Sequence, residues 1–502
     1  MNKRTTLLAV VLFLITTLPA FANPRMVRRV SAVPNEYIVV LDKAVPQQAV
    51  DGLSRSLAAA YNGSVKQIWT NSIPAFHFIG SEPAALGMLE DPRVAYIEQN
   101  ATSYPYREAQ LARPDFGSLA TVANATTSHW HLDRLDDPGP ATDGTYNMTT
   151  EGRSVYAYVI DTGVWTGHSE FEGRVIATLD FSDDKGTTGL WNNDQTNACG
   201  SGQWAKENAW HGTAVASLIS GRTVGAARPY IVSLKVARCE DLGIDTTALF
   251  RAIDFIAASQ WNPWIALPGV INHSGYVVPA DSNFSVIRDV VRATVANTGF
   301  PYFTSADNWA GDACQFSPNL DAYTAANPWG RVFVVGGTTP PEQWNWPFLD
   351  DFRWQLYENG VAGTGPNQGS NTGSCISLFA PAANITAARH AASTSSFGVD
   401  SGTSFSAPLA AAIAARYIEK QLVTTGVRPS VSSVYGFLRA NAVTSVQEKG
   451  FTPYSICIAW SPESDTFATQ PPNAQGNCTS ANYTLVHMNP TPTSGKMLYY
   501  QE

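Results

Sequence analysis

The stretch Val155-Tyr156-Ala157-Tyr158-Val159-Ile160-Asp161-Thr162-Gly163 decides the fold. Its first six residues show none of the apolar/polar alternation of a strand with one face in water, so both faces are covered, as in parallel sheets built from strand-helix-strand units. The run then breaks at an acid, a threonine and a glycine, residues that release a chain from a strand end. Downstream, strand-like and helix-like segments alternate. Ile231 to Val236, Val270-Ile271, Tyr302-Phe303, Val332 to Val335 and Ile376 to Phe379 read as strands, and His211 to Ile219, Thr246 to Ala258, Val286 to Val295 and Ser404 to Lys420 as helices. The expectation is an α/β fold, a doubly wound, mainly parallel sheet with helices on both faces, whose working residues gather beyond the carboxyl ends of the strands. Asp161 stands there.

The 502 residues suffice for two domains, one of them large, and 44% apolar against 15% charged residues speaks for a compact chain rather than charge-rich disorder. A net charge of −9, from 32 basic and 41 acidic residues, supplies no basic face for nucleic acid. No apolar run reaches the roughly 18 residues of a membrane span, so no membrane partner is expected. Lys3 and Arg4 precede an apolar run from Leu7 to Leu18, followed by the small residues of Ala20-Phe21-Ala22, which reads as a secretory signal over residues 1–22 and an extracellular destination. Between Glu36 and Glu98 lies a small unit without cysteine: strands at Tyr37 to Leu41, Ala75 to Ile79 and Val94 to Ile97, and a helix from Ala49 to Tyr61. From Ala101 to about Thr127 the periodicity fails, as in a linker. The expected division is therefore 1–22, 23–103 as a small α+β domain and 104–502 as the main domain, the last beginning somewhere in 99–127. All six cysteines, Cys199, Cys239, Cys314, Cys375, Cys457 and Cys478, lie after residue 190. An even number in an oxidising compartment implies disulfides, with fifteen pairings open, and no short CxxC spacing points to zinc.

Three residues carry the candidate chemistry. Asp161 ends a strand, His211 opens a helix in Trp-His-Gly-Thr, and Ser404 begins another in Ser-Gly-Thr-Ser-Phe-Ser-Ala-Pro, where Pro408 should fall in the first helical turn. Each alone has an ordinary explanation: a turn former, a packed imidazole, an N-cap. Together they complete one another, because a serine hydroxyl attacks only once an imidazole takes its proton, and that imidazole needs a carboxylate to hold its tautomer and stabilise its charged form. A serine at a helix start also meets backbone N–H groups aimed at any developing anion.

These segments resemble the subtilisin-like serine peptidases, most closely the secreted proteinase-K-type branch. The match runs over Ala157 to Val164 with His168, Phe171, Gly173 and Arg174, over His211-Gly212-Thr213 with Val215-Ala216, and over Gly402-Thr403-Ser404 with Ala407-Pro408. The resemblance implies a secreted endopeptidase with protein or peptide substrates, no cofactor for the chemistry, structural calcium without assignable ligands, a monomeric state, and an inhibitory propeptide in the small domain that the enzyme cuts off itself. It implies Asn308 as oxyanion donor, Ser274 and Gly275 as substrate-lining residues, and the pairs Cys199–Cys239, Cys314–Cys375 and Cys457–Cys478. Departures from the family pattern are Ala214 in the histidine segment, Phe405, Ser406 and Leu409 after the serine, Asn272-His273-Ser274-Gly275-Tyr276 in the substrate-lining strand, and Thr339 at a position where the family usually carries a calcium-site acid. Asp307 stands where the family has glycine, along one wall of the specificity pocket. Its carboxylate either faces the pocket and favours Lys or Arg, or turns outward as a cap on backbone N–H groups; the outward pose is preferred, because a carboxylate beside the oxyanion would oppose the developing charge. An impaired relative that binds polypeptide without cutting is the alternative reading, motivated by Ala214 and Asp307. A secreted esterase lacks support because no Gly-x-Ser-x-Gly elbow occurs.

Overall fold

The computed structural model describes residues 25–29, 31–103, 129–136, 144–146, 148, 150–182, 210–259, 268–275, 285–340, 352–353, 357–358, 361–362, 369–389, 394–446, 456–462 and 495–500. The signal segment and most of the 101–127 linker lie outside them. The N-terminal unit contains β1 (Met26–Val27), β2 (Ala32–Leu41), α1 (Val50–Ala60), β3 (Ser64–Trp69), β4 (Ala75–Ile79), α2 (Glu82–Met88) and β5 (Val94–Ser103). The large unit follows with α3 (Trp130–Asp136), β6 (Tyr156–Asp161), β7 (Val175–Asp180), α4 (His211–Ser220), β8 (Tyr230–Lys235), β9 (Ile244–Asp245), α5 (Thr246–Ser259), β10 (Gly269–His273), α6 (Val286–Thr298), β11 (Tyr302–Ser305) and β12 (Val332–Thr339). Three two-residue strands come next, β13 (Phe352–Arg353), β14 (Tyr357–Glu358) and β15 (Val361–Ala362). Then follow β16 (Leu378–Pro381), β17 (Ile385–Ala388), β18 (Phe397–Asp400), α7 (Thr403–Thr425), α8 (Val431–Ala440), β19 (Ala442–Val446), β20 (Ile456–Pro462) and β21 (Gly495–Tyr500).

The main sheet runs β19-β20-β21-β16-β12-β11-β10-β6-β8-β7. From β16 to β7 every neighbouring pair is parallel, while β19, β20 and β21 extend the β16 edge antiparallel. The doubly wound expectation holds for the parallel part. From β6 the chain crosses to the edge strand β7 and returns to β8 beside β6, then crosses β6 and builds the other half outward through β10, β11, β12 and β16, so the direction reverses between β6 and β10. That is the crevice where such sheets hold their ligands, and it lies between the end of β6 at Asp161 and the end of β10 at His273.

The unbroken apolar reading of β6 has the expected cause: Ala157 to Asp161 are all buried. Helix α6 shows the complementary pattern. It buries Val286, Ile287, Val290, Val291, Thr294 and Val295, an i, i+3, i+4 stripe, starts at Ser285, whose hydroxyl accepts from Arg288 N–H, and stops at Gly299 in the left-handed conformation with φ 64°.

The N-terminal unit forms its own sheet, β1-β5-β2-β4-β3. In β2, Tyr37, Val39 and Leu41 pack into the unit's own core, whereas Ile38 and Val40 join the core of the large unit. Both faces of this strand are thus covered, one by α1 and α2 and the other by the large unit. Across the junction Trp69 stacks on Phe250 at 4.2 Å, Asp254 accepts from Ser72 N–H and Asn71 Nδ2, and β5 pairs with β9 through Thr102 and Ser103. Two helix starts are capped from the other unit: Glu98 Oε2 accepts from Val286 N–H at the head of α6, and Asn100 Oδ1 from Thr247 N–H at the head of α5.

Candidate active site

Asp161 and His211 meet at the switch point. Asp161 is the last residue of β6 and His211 the first of α4; the Nδ1 of His211 lies 2.8 Å from Asp161 Oδ1 and 3.1 Å from Oδ2, both side chains being buried. Two local contacts hold strand end and helix start together. Asp161 Oδ1 accepts from Thr162 N–H at 2.7 Å, and Thr162 Oγ1 accepts from Gly212 N–H at 2.9 Å. Glycine is required at 212 because a Cβ there would lie 2.4 Å from the carbonyl oxygen of Gly163. With Nδ1 facing a carboxylate, the imidazole carries its proton on that nitrogen and presents Nε2 as a base.

Ser404 lies in the first turn of α7, two residues after Gly402. Its Oγ donates to the Ser274 carbonyl at 3.4 Å, and Ser274 Oγ donates to the Ser404 carbonyl at 2.7 Å. The second bond explains how α7 accommodates Pro408, which lies further into the helix than the first turn expected from sequence. Proline has no N–H to offer the carbonyl four residues back, that carbonyl belongs to Ser404, and Ser274 satisfies it instead. Ser274 therefore clamps the serine segment to the end of β10. Gly275, the other expected substrate-lining residue, accepts from Thr304 Oγ1 at 3.3 Å, and residues 276–284 lie outside the described part of the chain.

Asn308 follows β11 and turns its side chain toward the head of α7. Its Oδ1 accepts from both the N–H and the hydroxyl of Thr403, each at 2.9 Å. The acceptor half of the amide is thereby engaged, and Nδ2 is the half that can donate. A methyl group placed on Gly402 would lie 3.7 Å from Asn308 Nδ2, 3.8 Å from Asn308 Oδ1 and 3.8 Å from Ser404 N, so the Asn308 amide and the Ser404 N–H border the same space. Ser404 N–H belongs to a first helical turn, where no intrahelical acceptor exists. Two convergent N–H donors beside a serine hydroxyl suit the oxygen of a tetrahedral intermediate.

Asp307 adopts φ 79°, the left-handed region that explains why glycine is the ordinary choice here. Its Oδ1 accepts from Asn308 N–H at 2.7 Å and its own N–H donates to Thr403 Oγ1 at 3.1 Å. The carboxylate caps a backbone N–H, as the outward pose required, yet the side chain is buried rather than turned to water. The following loop is tied down by Asn371, whose Oδ1 accepts from Trp309 and Gly311 N–H, and by the Cys314–Cys375 disulfide. Cys239 is also disulfide-bonded; Cys199 and Cys478 lie outside the described residues, as does the side chain of Cys457.

The supports of these groups carry no local signal in the sequence. Thr162 and Thr403 are such supports, and their hydroxyl partners are remote in sequence. His273, one of the departures in the substrate-lining strand, is fully buried at the end of β10, paired in register with Ile160, and burial pushes its pKa down to about 4 despite the nearby Asp161 charge. For calcium, no group of three or more His, Cys, Asp or Glu side chains comes together among the described residues, and no step below passes through a metal.

Comparison with known proteins bears on this geometry. Residues 152–450 match the model of the subtilase family of peptidases, more than half of the chain. The chain belongs to the subtilase family. It is similar to alkaline serine exoprotease A of Vibrio alginolyticus, 28% identical over 76% of this chain and 58% of that protein, and to an extracellular serine proteinase of Thermus sp. strain Rt41A, 29% identical over 66% of this chain and 62% of that one. The chain thus spans about three fifths of the length of these subtilase relatives. Among solved structures, fervidolysin from Fervidobacterium pennivorans, a keratinolytic enzyme related to subtilisin, aligns over 82% of this chain and 57% of its own with a TM-score of 0.52 at 16% identity, a likeness of fold.

Proposed function

We propose that this subtilase is a secreted serine endopeptidase that hydrolyses peptide bonds in protein or peptide substrates through Asp161, His211 and Ser404, and that it is made as a precursor which removes its own N-terminal unit. The observation that carries the reading is the buried Asp161–His211 pair at 2.8 Å, at the sheet's switch point, with Ser404 and Asn308 at the ends of neighbouring elements. In the reaction, His211 Nε2 takes the proton of Ser404 Oγ as the oxygen attacks the scissile carbonyl. Asp161 keeps Nδ1–H oriented and stabilises the imidazolium. The oxyanion lies between Asn308 Nδ2 and Ser404 N–H. His211 then gives its proton to the leaving amine, and water, activated by the same imidazole, hydrolyses the acyl-enzyme. The names of the relatives, serine exoprotease and extracellular serine proteinase, agree with secretion and with this chemistry. For the N-terminal unit, residues 23–103, the support is its separate core and its docking on α5 and α6.

The test is twofold. Ser404 should be labelled by an active-site fluorophosphonate, and the protein should cleave a denatured polypeptide, both lost in Ser404→Ala, which should also accumulate as unprocessed precursor. A native chain that binds denatured polypeptide but neither cleaves it nor takes the label would instead be a binding protein.

A further inference from the structure

The hairpin β17–β18 leads directly into Asp400-Ser401-Gly402-Thr403-Ser404, and it packs on α4, where Ser217 Oγ accepts from Ala388 N–H. Just past the end of β17, Arg389 donates to the Val399 carbonyl across the hairpin at 3.4 Å and reaches two further side chains. Its guanidinium lies over the ring of Trp210, 4.0 Å from the centroid, and pairs with Asp400 at 3.1 Å, both partners of that pair being 13% exposed. Trp210 immediately precedes His211. Its ring is within 10° of parallel to that of Phe405, which immediately follows Ser404, and Phe405 in turn packs on the His211 ring at 6.0 Å.

We propose that Arg389 is a positioning residue that holds the histidine and serine segments of the triad in register, through its stack on Trp210 and its ion pair with Asp400. The Asp161 bond fixes one nitrogen of the imidazole but leaves the tilt of the ring to whatever packs on its faces. That tilt decides whether Nε2 points at Ser404 Oγ. Trp210 and Phe405 form that packing, and Arg389 is the residue that binds the Trp210 side to the strand feeding Ser404. A planar guanidinium suits both tasks, stacking on an aromatic face while its edge meets a carboxylate. Asp400 also balances the charge, so the clamp places no lone cation beside a base that must accept a proton. Gly398 gives the arrangement its room: a Cβ there would come within 1.8 Å of Arg389 Nε, so an alanine at 398 must displace the guanidinium without altering any charge.

The inference rests on the peptidase reading, and one experiment separates their failures. For the wild type, Arg389→Met, Arg389→Lys, Gly398→Ala and the double variant Arg389→Met/Gly398→Ala, kcat and KM are measured on a chromogenic peptide. Fluorophosphonate labelling rates and thermal unfolding are recorded alongside. Arg389→Met and Gly398→Ala should each lower kcat by about ten- to a hundredfold with KM within about twofold, the scale of a small misplacement of a catalytic group. The labelling rate should fall in step. Arg389→Lys, which keeps the cation and the Asp400 partner but not the planar stack, should recover part of the loss, and the double variant should be no worse than Arg389→Met alone. Should Arg389→Met not fold, Arg389→Lys and Gly398→Ala carry the same comparison. Folded variants with unchanged kcat, a loss confined to KM, or losses that multiply in the double variant overturn the positioning role alone. A wild type that neither cleaves nor labels overturns the peptidase reading and this role with it.

Discussion

The hydroxyl of Thr403 offers a test of how Asn308, the proposed oxyanion donor, is aimed. It gives one of the two bonds that hold Asn308 Oδ1, the other coming from Thr403 N–H at the same 2.9 Å, and it accepts from Asp307 N–H. Thr403→Val keeps the shape and deletes both roles. A neutral bond of this kind contributes about 1 kcal/mol net, so losing half of what orients the amide should weaken transition-state stabilisation by about 1–2 kcal/mol, a fall in kcat of roughly 5- to 30-fold. KM should stay near its original value, because the ground-state carbonyl makes little use of the donor. The folded state should lose about 1–3 kcal/mol, since the buried Asp307 N–H is left without its acceptor. The assay is kcat and KM on a chromogenic peptide for Thr403→Val, Asn308→Ala and the double variant, with thermal melts of each. The decisive comparison is the double variant: where Asn308 is already alanine, Thr403→Val should reduce kcat no further. A full additional reduction in that background would refute the idea that the hydroxyl acts through the amide.

Three further outcomes are expected. Gly212→Ala, whose Cβ would press on the Gly163 carbonyl oxygen at 2.4 Å, should separate α4 from the end of β6 and lower both kcat and the melting temperature; an active, equally stable variant would mean the backbone there yields easily. His273, held neutral by burial with its pKa at about 4, binds a proton more readily in the unfolded chain. Its contribution to stability is therefore intact above the unfolded value of about 6.5 and is lost as pH falls toward 4, by about 2–3 kcal/mol at pH 4.5. Urea unfolding at pH 7.5 and 4.5, in a Ser404→Ala background to prevent self-digestion, should show that part of the acid sensitivity missing in His273→Leu. Removing the Cys314–Cys375 bridge, which closes a 61-residue separation, by Cys314→Ser with Cys375→Ser should cost about 4 kcal/mol in the chain-entropy model, read as a lower urea midpoint.

The parallel sheet was legible in sequence because its central strands are buried on both faces and so carry unbroken apolar runs, as in Val155 to Ile160. The proposed triad was legible for a related reason: strand ends and helix starts are marked by turn and capping chemistry, and Asp161, His211 and Ser404 all stand at such marks. Many of the other strands carry no such signal, and two of them show why. β3, Ser64–Trp69, carries Lys66 and Gln67 on a partly exposed edge, and β7, Val175–Asp180, is the edge of the main sheet with Ile176 in water. Edge strands lack the double burial that makes a run stand out. The bonds that aim the proposed catalytic groups were invisible for a different reason. Thr403 meets Asn308 and Thr162 meets Gly212 across long separations, and nothing local to either threonine specifies its partner. The pose of Asp307 depended on a left-handed backbone that its residue type does not announce.

The pairing of β5 with β9 has a kinetic consequence. While the chain is continuous, the N-terminal unit is tethered within reach of α5 and α6, and its docking is a first-order event whatever the protein concentration. A cut anywhere between Ser103 and His129 removes that tether and leaves the β5–β9 pairing, the two helix caps and the Trp69–Phe250 stack to hold a separate molecule. From that moment occupancy follows mass action, half-complete where the concentration equals the dissociation constant of the docked pair. Dispersal into a large volume would then release the unit irreversibly in practice, without any change in either fold, whereas the same molecules kept crowded would stay paired.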